Sequence, residues 1–563
     1  MIKTTQIERS ILKAIHKVTV TILNSSITVP TESPRFSQFP YPTAYKGQNQ
    51  AIEEICNNEH TLLASPTGTG KTAVFLTASR IMQKPTLIIE PRVFLQRQVS
   101  EYGNYVYLRK RERYPCRFLE KLDEKKRRSW SFLDIDGHPC IFRIGDRFYF
   151  FGREYDYPCP DCYYEIDKLR AELIFEEGGI VVVNQGNFHQ FLERAKELNA
   201  FVVIDEADEV LRTITCAISV PESEISKYLE NTTPDSPEEI IDSVQKYLRD
   251  RKKNLEEELK KLQEKYELTE DYRILTKIPK INKQLEKITF DLLKVNLFKQ
   301  NLGDVFYYHT EDGKLSVELV PKFKILEQLF EGCQICFVSA TPPLNNNVKV
   351  VKYYLPCKAK VVFIPYMNMS RSKIDVNPKK KKIAFERVST LMKDITKIVE
   401  LVLGKSIRVI IHCASYDYAN SFAPYFENAL VHERSVKLED VIQEFYDGNY
   451  KYLLVVAAEY GGDFKDVPLQ FIPKVPYPAL DERTRALKEK LGEARFREWY
   501  NWTALSRLMQ ACGRTARKPN DFSLTVIADQ SFQYLWRMYR HKLPEWFSKR
   551  LIHFVISTPH TLK

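Results

Sequence analysis

Short apolar runs alternate with amphipathic stretches over most of the chain. A first series of runs, rich in β-branched residues, comprises TLLA (61–64), TLIIE (86–90), IVVV (180–183), FVVID (201–205) and ICFVSA (335–340). A second series comprises RVIIH (408–412), YLLVVAA (452–458), LQFI (469–472) and LTVIA (524–528). Such runs are typical of strands that are buried on both faces and connected by helices. The pattern therefore predicts an α/β fold with two doubly wound parallel-sheet domains.

Two long segments interrupt the first series of strands. The first contains four cysteines, and the second lacks glycine from Asn187 to Leu302. In the second, Leu255, Leu259 and Leu262 recur at helical spacing among many charged residues, which predicts long amphipathic helices with a solvated face. The expected limits are 1–38 for an N-terminal extension with one helix at about Thr5 to Leu23, 39–100 with 179–215 and 331–348 for the first domain, 101–178 for the cysteine segment, 216–330 for the helical segment and 349–563 for the second domain.

Composition and charge narrow the class of protein. A chain of 563 residues is too long for one hydrophobic core. Its 84 Lys and Arg against 73 Asp and Glu give a net charge of +11, which suits an anionic partner without proving one. No apolar run approaches the ~18 residues that cross a bilayer, and MIKTTQIERS mixes charge into the start, so we expect a cytoplasmic protein, associated with the nucleoid or nuclear in a eukaryote. The cysteine count, 11, is odd, which argues against a disulfide framework.

A glycine-rich loop follows the first apolar run. Its sequence is Ser65-Pro66-Thr67-Gly68-Thr69-Gly70-Lys71-Thr72, with Ser65 where the phosphate-loop pattern has glycine. In such loops, backbone N–H groups and the N-terminus of the following helix hold the phosphates of a nucleotide. Lys71 would supply positive charge, and the Thr72 hydroxyl would bind Mg²⁺.

An acidic pair ends a later apolar strand, in Val202-Val203-Ile204-Asp205-Glu206-Ala207-Asp208. There Asp205 can hold Mg²⁺ through water, and Glu206 can accept a proton from the attacking water. This strand end alone is weak evidence, because many strands end in Asp-Glu. Together with the phosphate loop it predicts a Mg²⁺-dependent nucleoside triphosphate hydrolase.

Across about residues 39–540 the chain resembles superfamily 2 helicases, and further motifs narrow the resemblance to the XPD/DinG family. Those motifs are Phe39-Pro40-Tyr41 with Gln48, Pro91 to Gln98, Asn184, Ser339-Ala340-Thr341, Val475-Pro476-Tyr477-Pro478 and Gln510-Ala511-Cys512-Gly513-Arg514-Thr515-Ala516-Arg517. The resemblance implies two RecA-like motor domains that close on ATP and Mg²⁺, with Gln48 on the adenine side. It also implies that Arg92 contacts the DNA backbone, and that Ser339 and Thr341 link hydrolysis to DNA movement.

Two arginines in the last motif carry a physical argument of their own. Arg514 and Arg517 are three residues apart and share a face if the segment is helical. Presented across a cleft beside Gln510, they can neutralise the charge that develops on the phosphates. A surface arginine pair is the alternative interpretation, but the first motor domain has no arginine finger of its own.

Two departures from the family pattern concern coupling. Asp208 stands where the family usually has histidine, at a position that couples hydrolysis to the domain interface. Asp463 matches a family aspartate, whereas Glu459 lies one place too early to match the family glutamate. Beside Ser339 and Thr341, the resemblance therefore carries coupling roles to Asp208 and Asp463, but not to Glu459.

Four cysteines, Cys116, Cys140, Cys159 and Cys162, fall close together in the first interrupting segment. Structural zinc usually has two tight C-x2-C pairs, and only Cys159 and Cys162 form one here. A cluster with one thiolate per iron tolerates the dispersed spacing of the others. The resemblance implies a 4Fe–4S domain at this place, with Zn²⁺ as the alternative and unrelated core thiols as a third possibility.

Basic and aromatic residues alternate around the first of these cysteines. The basic residues are Arg109, Arg111, Arg113 and Arg117, interleaved with tyrosine and phenylalanine. Basic side chains follow a phosphate backbone while aromatic rings stack on bases, a combination typical of single-strand binding. A solvated surface is the alternative.

The sequence therefore predicts a monomeric, ATP-dependent DNA helicase that acts on single-stranded and forked DNA. Its iron–sulfur domain, with the helical segment as an arch, would separate the duplex, and the resemblance implies 5′→3′ movement. Two alternatives remain open. One is an RNA-remodelling ATPase of the DEAD-box type, suggested by Asp208, and the other is a zinc-containing nucleic-acid-binding protein with a vestigial ATPase.

Overall fold

Two seven-stranded sheets organise the chain. The computed structural model describes residues 6–66, 68–90, 105–108, 114–120, 143–144, 147–150, 153–156, 162–229, 236–269, 277–341, 348–370, 377–456, 464–516 and 518–554. Within these ranges, no helix has both the length and the apolar character that crossing a membrane requires.

The first sheet is entirely parallel. From edge to edge its strands are Lys349–Lys352, His60–Ala64, Gln334–Ser339, Phe201–Ile204, Thr86–Glu90, Ile180–Asn184 and Tyr105–Leu108. The accompanying helices are Gln48–Asn57, Lys71–Met82, Tyr163–Glu176, Leu192–Glu197, Ala207–Thr215 and Phe323–Leu329. The central strands are β-branched runs buried on both faces, as parallel strands between two helical layers must be. We call this unit domain 1.

The second sheet is also entirely parallel. Its strands, from edge to edge, are Ala429–Val431, Tyr452–Val456, Val409–Cys413, Leu469–Ile472, Leu524–Asp529, Lys360–Met367 and Leu551–His553. The accompanying helices are Pro378–Leu403, Tyr416–Phe422, Leu438–Asp447, Glu482–Leu491, Glu493–Cys512, Ser531–Tyr539 and Glu545–Arg550. We call this unit domain 2. The two parallel-sheet domains confirm the predicted fold class.

Two strands lie across the domain limits expected from the sequence. Tyr105–Leu108 falls inside the cysteine segment, yet it pairs with Ile180–Asn184 at the edge of the first sheet. Lys349–Lys352 falls inside the range expected for domain 2, yet it pairs with the phosphate-loop strand His60–Ala64. Both are edge strands of four residues, and so short a run carries little apolar signal.

The N-terminal helix Gln6–Asn24 packs on domain 2, although its sequence precedes domain 1. It lies against helix Pro378–Leu403. One stripe of the helix joins the core of domain 2 through Ile11, Ile15 and Ile22. The Tyr366 hydroxyl of domain 2 also donates to Glu8 Oε1 at 2.6 Å. The sequence predicts the helix to within one residue at each end, but not its packing partner.

The segment 216–330, which we call the arch, contains the two predicted long helices. They are Pro237–Thr269 and Ile278–Gln300, and they pack against each other. The arch also contains a three-stranded antiparallel sheet that the sequence did not predict, formed by Ile218–Pro221, Lys314–Leu319 and Val305–His309. One of its pairings spans the whole helical insertion, so no local hairpin pattern marks it.

The cysteine segment contains a second antiparallel sheet. Its strands are Arg143–Ile144, Arg147–Phe150 and Arg153–Asp156, and a short helix, Arg117–Glu120, precedes them. Strand Arg143–Ile144 lies against both long helices of the arch. The two insertions of domain 1 are therefore neighbours.

Candidate nucleotide site and domain interface

The phosphate loop connects strand His60–Ala64 to helix Lys71–Met82. Gly68 and Gly70 within it have φ angles of 81° and 76°, a left-handed conformation that residues with a Cβ atom disfavour. The two glycines let the chain reverse directly from strand to helix. The N–H groups at the helix N-terminus then face the position that phosphates occupy in such loops.

Polar contacts order the inside of the loop. Lys71 Nζ donates to the carbonyl oxygens of Ser65 and Pro66 at 3.0 and 3.3 Å. The hydroxyl oxygens of Ser65 and Thr69 lie 2.8 Å apart. The serine that replaces the usual glycine therefore adds a hydrogen bond across the loop. Thr72 is the second residue of the helix and remains partly exposed.

Gln48 holds the loop from outside. Its Oε1 accepts from the Tyr45 N–H at 2.7 Å, and its Nε2 donates to the carbonyls of Thr69 and Gly70 at 3.1 and 3.3 Å. A Cβ atom on Gly70 would lie 2.7 Å from the same Nε2. The structure thus places Gln48 against the loop backbone, whereas the resemblance implies a place beside the adenine.

Asp205 and Glu206 follow strand Phe201–Ile204 in domain 1. Burial and the charge of Glu206 together raise the pKa of Asp205 to about 6, against the opposing charge of the nearby Lys71. Lys71 and Asp205 therefore share one electrostatic environment. An ammonium, a hydroxyl, helix N–H groups and two carboxyls are the donors and acceptors that an ATP·Mg²⁺ complex requires, and these residues fit it.

Glu206 has an unusual backbone. Its φ and ψ angles are 47° and 51°, in the left-handed region, which few residues other than glycine adopt. It marks the transition from the strand to helix Ala207–Thr215. Strained positions of this kind cluster at functional sites because they aim a side chain.

Glu90 is a site residue that the sequence reasoning missed. It ends strand Thr86–Glu90, pairs in register with Asn184 and lies beside Asp205. Its side chain is 1% exposed, and burial, with the charge of Asp205, raises its pKa well above the usual range. The signal was available, because an acid that ends an apolar run is the pattern that identified Asp205.

Asp208 joins domain 1 to domain 2. Gln510 of domain 2 donates from Nε2 to Asp208 Oδ2 at 3.0 Å and to the Thr341 hydroxyl at 3.1 Å. The Ser339 hydroxyl donates to Asp208 Oδ1 at 3.3 Å and accepts from the Thr341 N–H at 3.1 Å. Burial and the charge of Glu206 raise the pKa of Asp208. Four residues predicted from three separate motifs therefore meet in one network.

Arg514 lies two residues beyond the end of helix Glu493–Cys512, so it is not on a helix as the sequence argument required, and it is close to a buried histidine of domain 2. Burial lowers the pKa of His412 to about 4, and the charge of Arg514 contributes to the shift. His412 Nε2 lies 2.9 Å from Gln470 Oε1. Nearby, Trp546 Nε1 donates to the Ala340 carbonyl at 3.2 Å, a further bond between the domains.

Residues that neighbour the first and last of the four cysteines contact each other. Tyr114 and Tyr164 meet edge to face with centroids 5.7 Å apart, and the Arg117 guanidinium lies 4.3 Å from the centre of the Tyr163 ring. These contacts bring the residues around Cys116 against those around Cys162, and they engage Arg117 in stacking. Among the described residues, no group of three or more His, Cys, Asp or Glu could hold a metal ion.

Several predicted site residues lie outside the described residues. They are Thr67, Arg92, Arg109, Arg111, Arg113, Cys140, Cys159, Asp463 and Arg517. Since two of the four cysteines are among them, the iron–sulfur cluster remains a prediction.

Comparisons with known proteins agree with the two-domain architecture. A family model described as DEAD/DEAH box helicase matches residues 45–115 of domain 1, and one described as helicase C-terminal domain matches residues 398–550 of domain 2. No curated protein matches the chain. A solved structure named XPD helicase is 16% identical, with a TM-score of 0.51 and coverage of 90% of this chain and 98% of that one. The structure of Xpd4 from S. tokodaii is 13% identical, with a TM-score of 0.46 and coverage of 91% and 99%.

At these identities the likeness shows the fold. The predicted resemblance to XPD/DinG-like superfamily 2 helicases is confirmed at that level. The two family models lie on the two sheet domains, so the chain carries both domains of a helicase-type ATPase.

Proposed function

We propose that the protein is an ATP-driven DNA helicase that moves along single-stranded DNA and separates a duplex. One observation carries the proposal. Gln510 of domain 2 is hydrogen-bonded to Asp208 and Thr341 of domain 1, and Asp208 lies within three residues of Asp205 and Glu206. A nucleotide in the loop can therefore change how the two domains meet.

The residues of domain 1 bind the nucleotide and prepare the attacking water. The phosphate loop and Lys71 hold the phosphates, while Thr72 and Asp205 would hold Mg²⁺, which neutralises phosphate charge when bound. Glu206 accepts a proton from the water that attacks the terminal phosphorus. Arg514 and Arg517 come from domain 2 to stabilise the charge that develops there.

Coupling runs through the network around Asp208. When hydrolysis and phosphate release remove charge from the site, domain 2 loses its arginine contacts to the phosphates. The neutral amide of Gln510 then still links domain 2 to Asp208 and Thr341, and each of its hydrogen bonds contributes about 1 kcal/mol net. The domains can separate and close again on the next ATP, one step further along the strand.

The DNA-facing part of the proposal rests on charge and on the resemblance. The net charge of +11 suits a polyanion. The resemblance favours 5′→3′ movement, with the cysteine segment and the adjacent arch as the element that parts the strands. Binding should weaken steeply with salt, since it depends on phosphate contacts.

We also propose that Cys116, Cys140, Cys159 and Cys162 hold a 4Fe–4S cluster, with Zn²⁺ as the alternative. The contacts between Tyr114 and Tyr164 and between Arg117 and Tyr163, which neighbour Cys116 and Cys162, support a shared ligand set. Anaerobically purified protein should contain about four irons per chain and be brown. Cys162→Ser should lose the colour, whereas Cys357→Ser in domain 2 should keep it. Colourless wild-type protein with one zinc would contradict the cluster.

The motor proposal is tested by strand displacement on forked DNA with 5′ or 3′ tails. Displacement that needs ATP and a 5′ tail is expected. Arg514→Ala should still bind ATP but lose DNA-stimulated hydrolysis by about 1000-fold, the scale of an arginine finger. Arg497→Ala, on the same domain and 63% exposed, should keep full activity and serves as the control. Unchanged turnover in Arg514→Ala would refute the finger assignment.

A second candidate is an RNA-remodelling ATPase of the DEAD-box type, favoured by Asp208 in place of histidine. It predicts stronger ATPase stimulation by RNA than by DNA of the same sequence. The same assay separates a third candidate, a nucleic-acid-binding protein with a vestigial ATPase. Lys71→Ala would leave the activity of such a protein intact.

A further inference from the structure

The segment that joins the two motor domains begins at Tyr353. Strand Lys349–Lys352 belongs to domain 1 and strand Lys360–Met367 to domain 2, so the chain crosses between the domains within residues 353–359. Tyr353 is part of the core of domain 1, whereas Tyr354 packs against the core of domain 2. Two adjacent side chains are therefore anchored in opposite domains.

Tyr353 contacts the phosphate loop through both its backbone and its side chain. Its carbonyl accepts from Ser65 Oγ at 2.6 Å, and its hydroxyl donates to the Thr69 carbonyl at 3.3 Å. The register of the sheet produces the first contact, since Lys352 pairs with Ala64 and the next residue on each strand follows. Burial raises the pKa of Tyr353, so its hydroxyl keeps its proton and remains a donor.

Gly47 and Gln48 pack closely around Tyr353 and the carbonyl that it contacts. Gly47 has a φ of 95°, and a Cβ atom there would lie 2.8 Å from Tyr353 Cβ. The next residue, Gln48, donates to the same Thr69 carbonyl at 3.1 Å. That carbonyl therefore accepts one hydrogen bond from the helix of Gln48 and one from the start of the interdomain segment.

Domain 2 holds the neighbouring residue just as closely. The Lys549 ammonium lies 4.4 Å from the centre of the Tyr354 ring and also contacts its hydroxyl. Lys549 belongs to helix Glu545–Arg550, whose Trp546 donates to the Ala340 carbonyl of domain 1. We therefore expect a movement of Tyr354 to be passed to helix Glu545–Arg550, which lies at the domain interface.

We propose that Tyr353 is a positioning residue of the ATP site. It holds the phosphate loop in place through Thr69 and connects the loop to the interdomain segment. The inference rests on the proposed ATPase function. A nucleotide that shifts the Thr69 carbonyl shifts Tyr353 with it. Because Tyr354 is anchored in domain 2, that shift reaches the second domain through one peptide bond.

A matched pair of variants tests the inference. Tyr353→Phe keeps the ring and removes the hydroxyl that holds Thr69, and Tyr354→Phe makes the same change one residue later. With Tyr353→Phe, the KM for ATP should rise roughly 3- to 10-fold, as expected for one neutral hydrogen bond. The reason is that the hydroxyl no longer stabilises the binding conformation of the nucleotide-free loop. Its kcat at saturating ATP should stay within about twofold, since bound phosphates order the loop themselves. Tyr354→Phe should leave the KM unchanged.

The outcomes separate positioning from packing. Equal KM values in the two variants would overturn the inference, as would a Tyr353→Phe protein whose kcat and melting temperature fall while its KM stays the same. If the wild type hydrolyses no ATP, the proposed function fails by itself. In that case the dissociation constant of a fluorescent ATP analogue is measured on the same three proteins. A roughly 3- to 10-fold rise in Tyr353→Phe, with no change in Tyr354→Phe, supports the inference. A wild type that binds no analogue overturns it.

Discussion

Two very different contacts join domain 2 to domain 1 and its insertions. The polar contact lies beside the nucleotide site and consists of Asp208, Ser339, Thr341 and Gln510. The arch contact lies where the small sheet of the arch meets domain 2, and its buried apolar residues are Phe306, Val320, Leu487 and Phe496. Beside them, Arg483 Nε donates to both carboxylate oxygens of Glu318, at 2.8 and 3.0 Å.

The difference between the contacts suggests which one moves. Hydrogen bonds of the polar contact can be exchanged for bonds to water at about 1 kcal/mol each. Opening the arch contact would expose aromatic surface and break the charge-assisted pair between Arg483 and Glu318, whose side chain is 4% exposed in the closed contact. We therefore expect the polar contact to break and re-form in each ATP cycle while the arch contact persists as the pivot.

Breaking the arch contact should have the largest effect on stability. Arg483→Met leaves Glu318 buried without its cation and should lower the free energy of unfolding by about 2–3 kcal/mol, less than the roughly 3–5 kcal/mol of a fully buried pair because Arg483 is 35% exposed. Denaturant unfolding measures this loss. The control is Arg485→Met, whose pair with Glu482 is 3.7 Å long and exposed, and which should cost less than about 0.5 kcal/mol. Equal losses of unfolding free energy in the two variants would show that the Arg483–Glu318 pair does not stabilise the arch contact, and would contradict its role as the pivot.

Breaking the polar contact should affect turnover and leave stability intact. Gln510→Ala removes the donor shared by Asp208 and Thr341, so DNA-stimulated ATP turnover should fall about 10- to 30-fold, or roughly 2 kcal/mol. Gln443→Ala, which removes an exposed glutamine of domain 2, is the matched control and should change neither property. A Gln510→Ala protein with normal ATP turnover and a lowered melting temperature would show that the polar contact stabilises the fold and is not the contact that moves.

A third prediction concerns how stability depends on pH on the domain 2 side of the polar contact, where His412 lies close to Arg514. Burial lowers the pKa of His412 to about 4, against about 6.5 in the unfolded chain. Between these values the unfolded state binds more protons, so stability falls as the pH falls. From pH 7.5 to 5.5 the wild type should lose about 1 kcal/mol more than His412→Gln in denaturant unfolding. Parallel curves for the two proteins would contradict a buried neutral histidine.

The smallest effect is expected when the polar contact keeps its geometry and loses its charge. Asp208→Asn retains an oxygen that accepts from Gln510 or Ser339, so DNA-stimulated turnover should fall only about 2- to 3-fold. Asp208→Ala removes the acceptor and should resemble Gln510→Ala. If the asparagine and alanine variants were equally slow, charge rather than hydrogen bonding would hold the contact.

Local patterns allowed the nucleotide site to be predicted. The glycines, Lys71 and Thr72 lie in one short stretch of loop and helix start, and the strand before Asp205 is a single apolar run, so each motif carries its own structural context. The two parallel sheets followed from the same runs. What the sequence could not show is how residues 131 and 302 positions apart meet around Asp208, because the domains bring them together.

Residues without a motif were missed for the same reason. Tyr353 follows a short edge strand and acquires its role only because that strand pairs with the phosphate-loop strand. The arch sheet joins strands across two long helices. Glu90 is different, because its position at the end of TLIIE was visible in the sequence and only its burial beside Asp205 makes it notable.

The packing of the N-terminal helix has a consequence for biosynthesis. More than 350 residues separate Gln6–Asn24 from its partner helix Pro378–Leu403. At ~5–20 residues per second, a ribosome needs roughly 20–70 s to make that stretch. During this time Ile11, Ile15 and Ile22 have no core to join, so we expect protease to cleave the helix in chains arrested before residue 403 and to spare it in released chains.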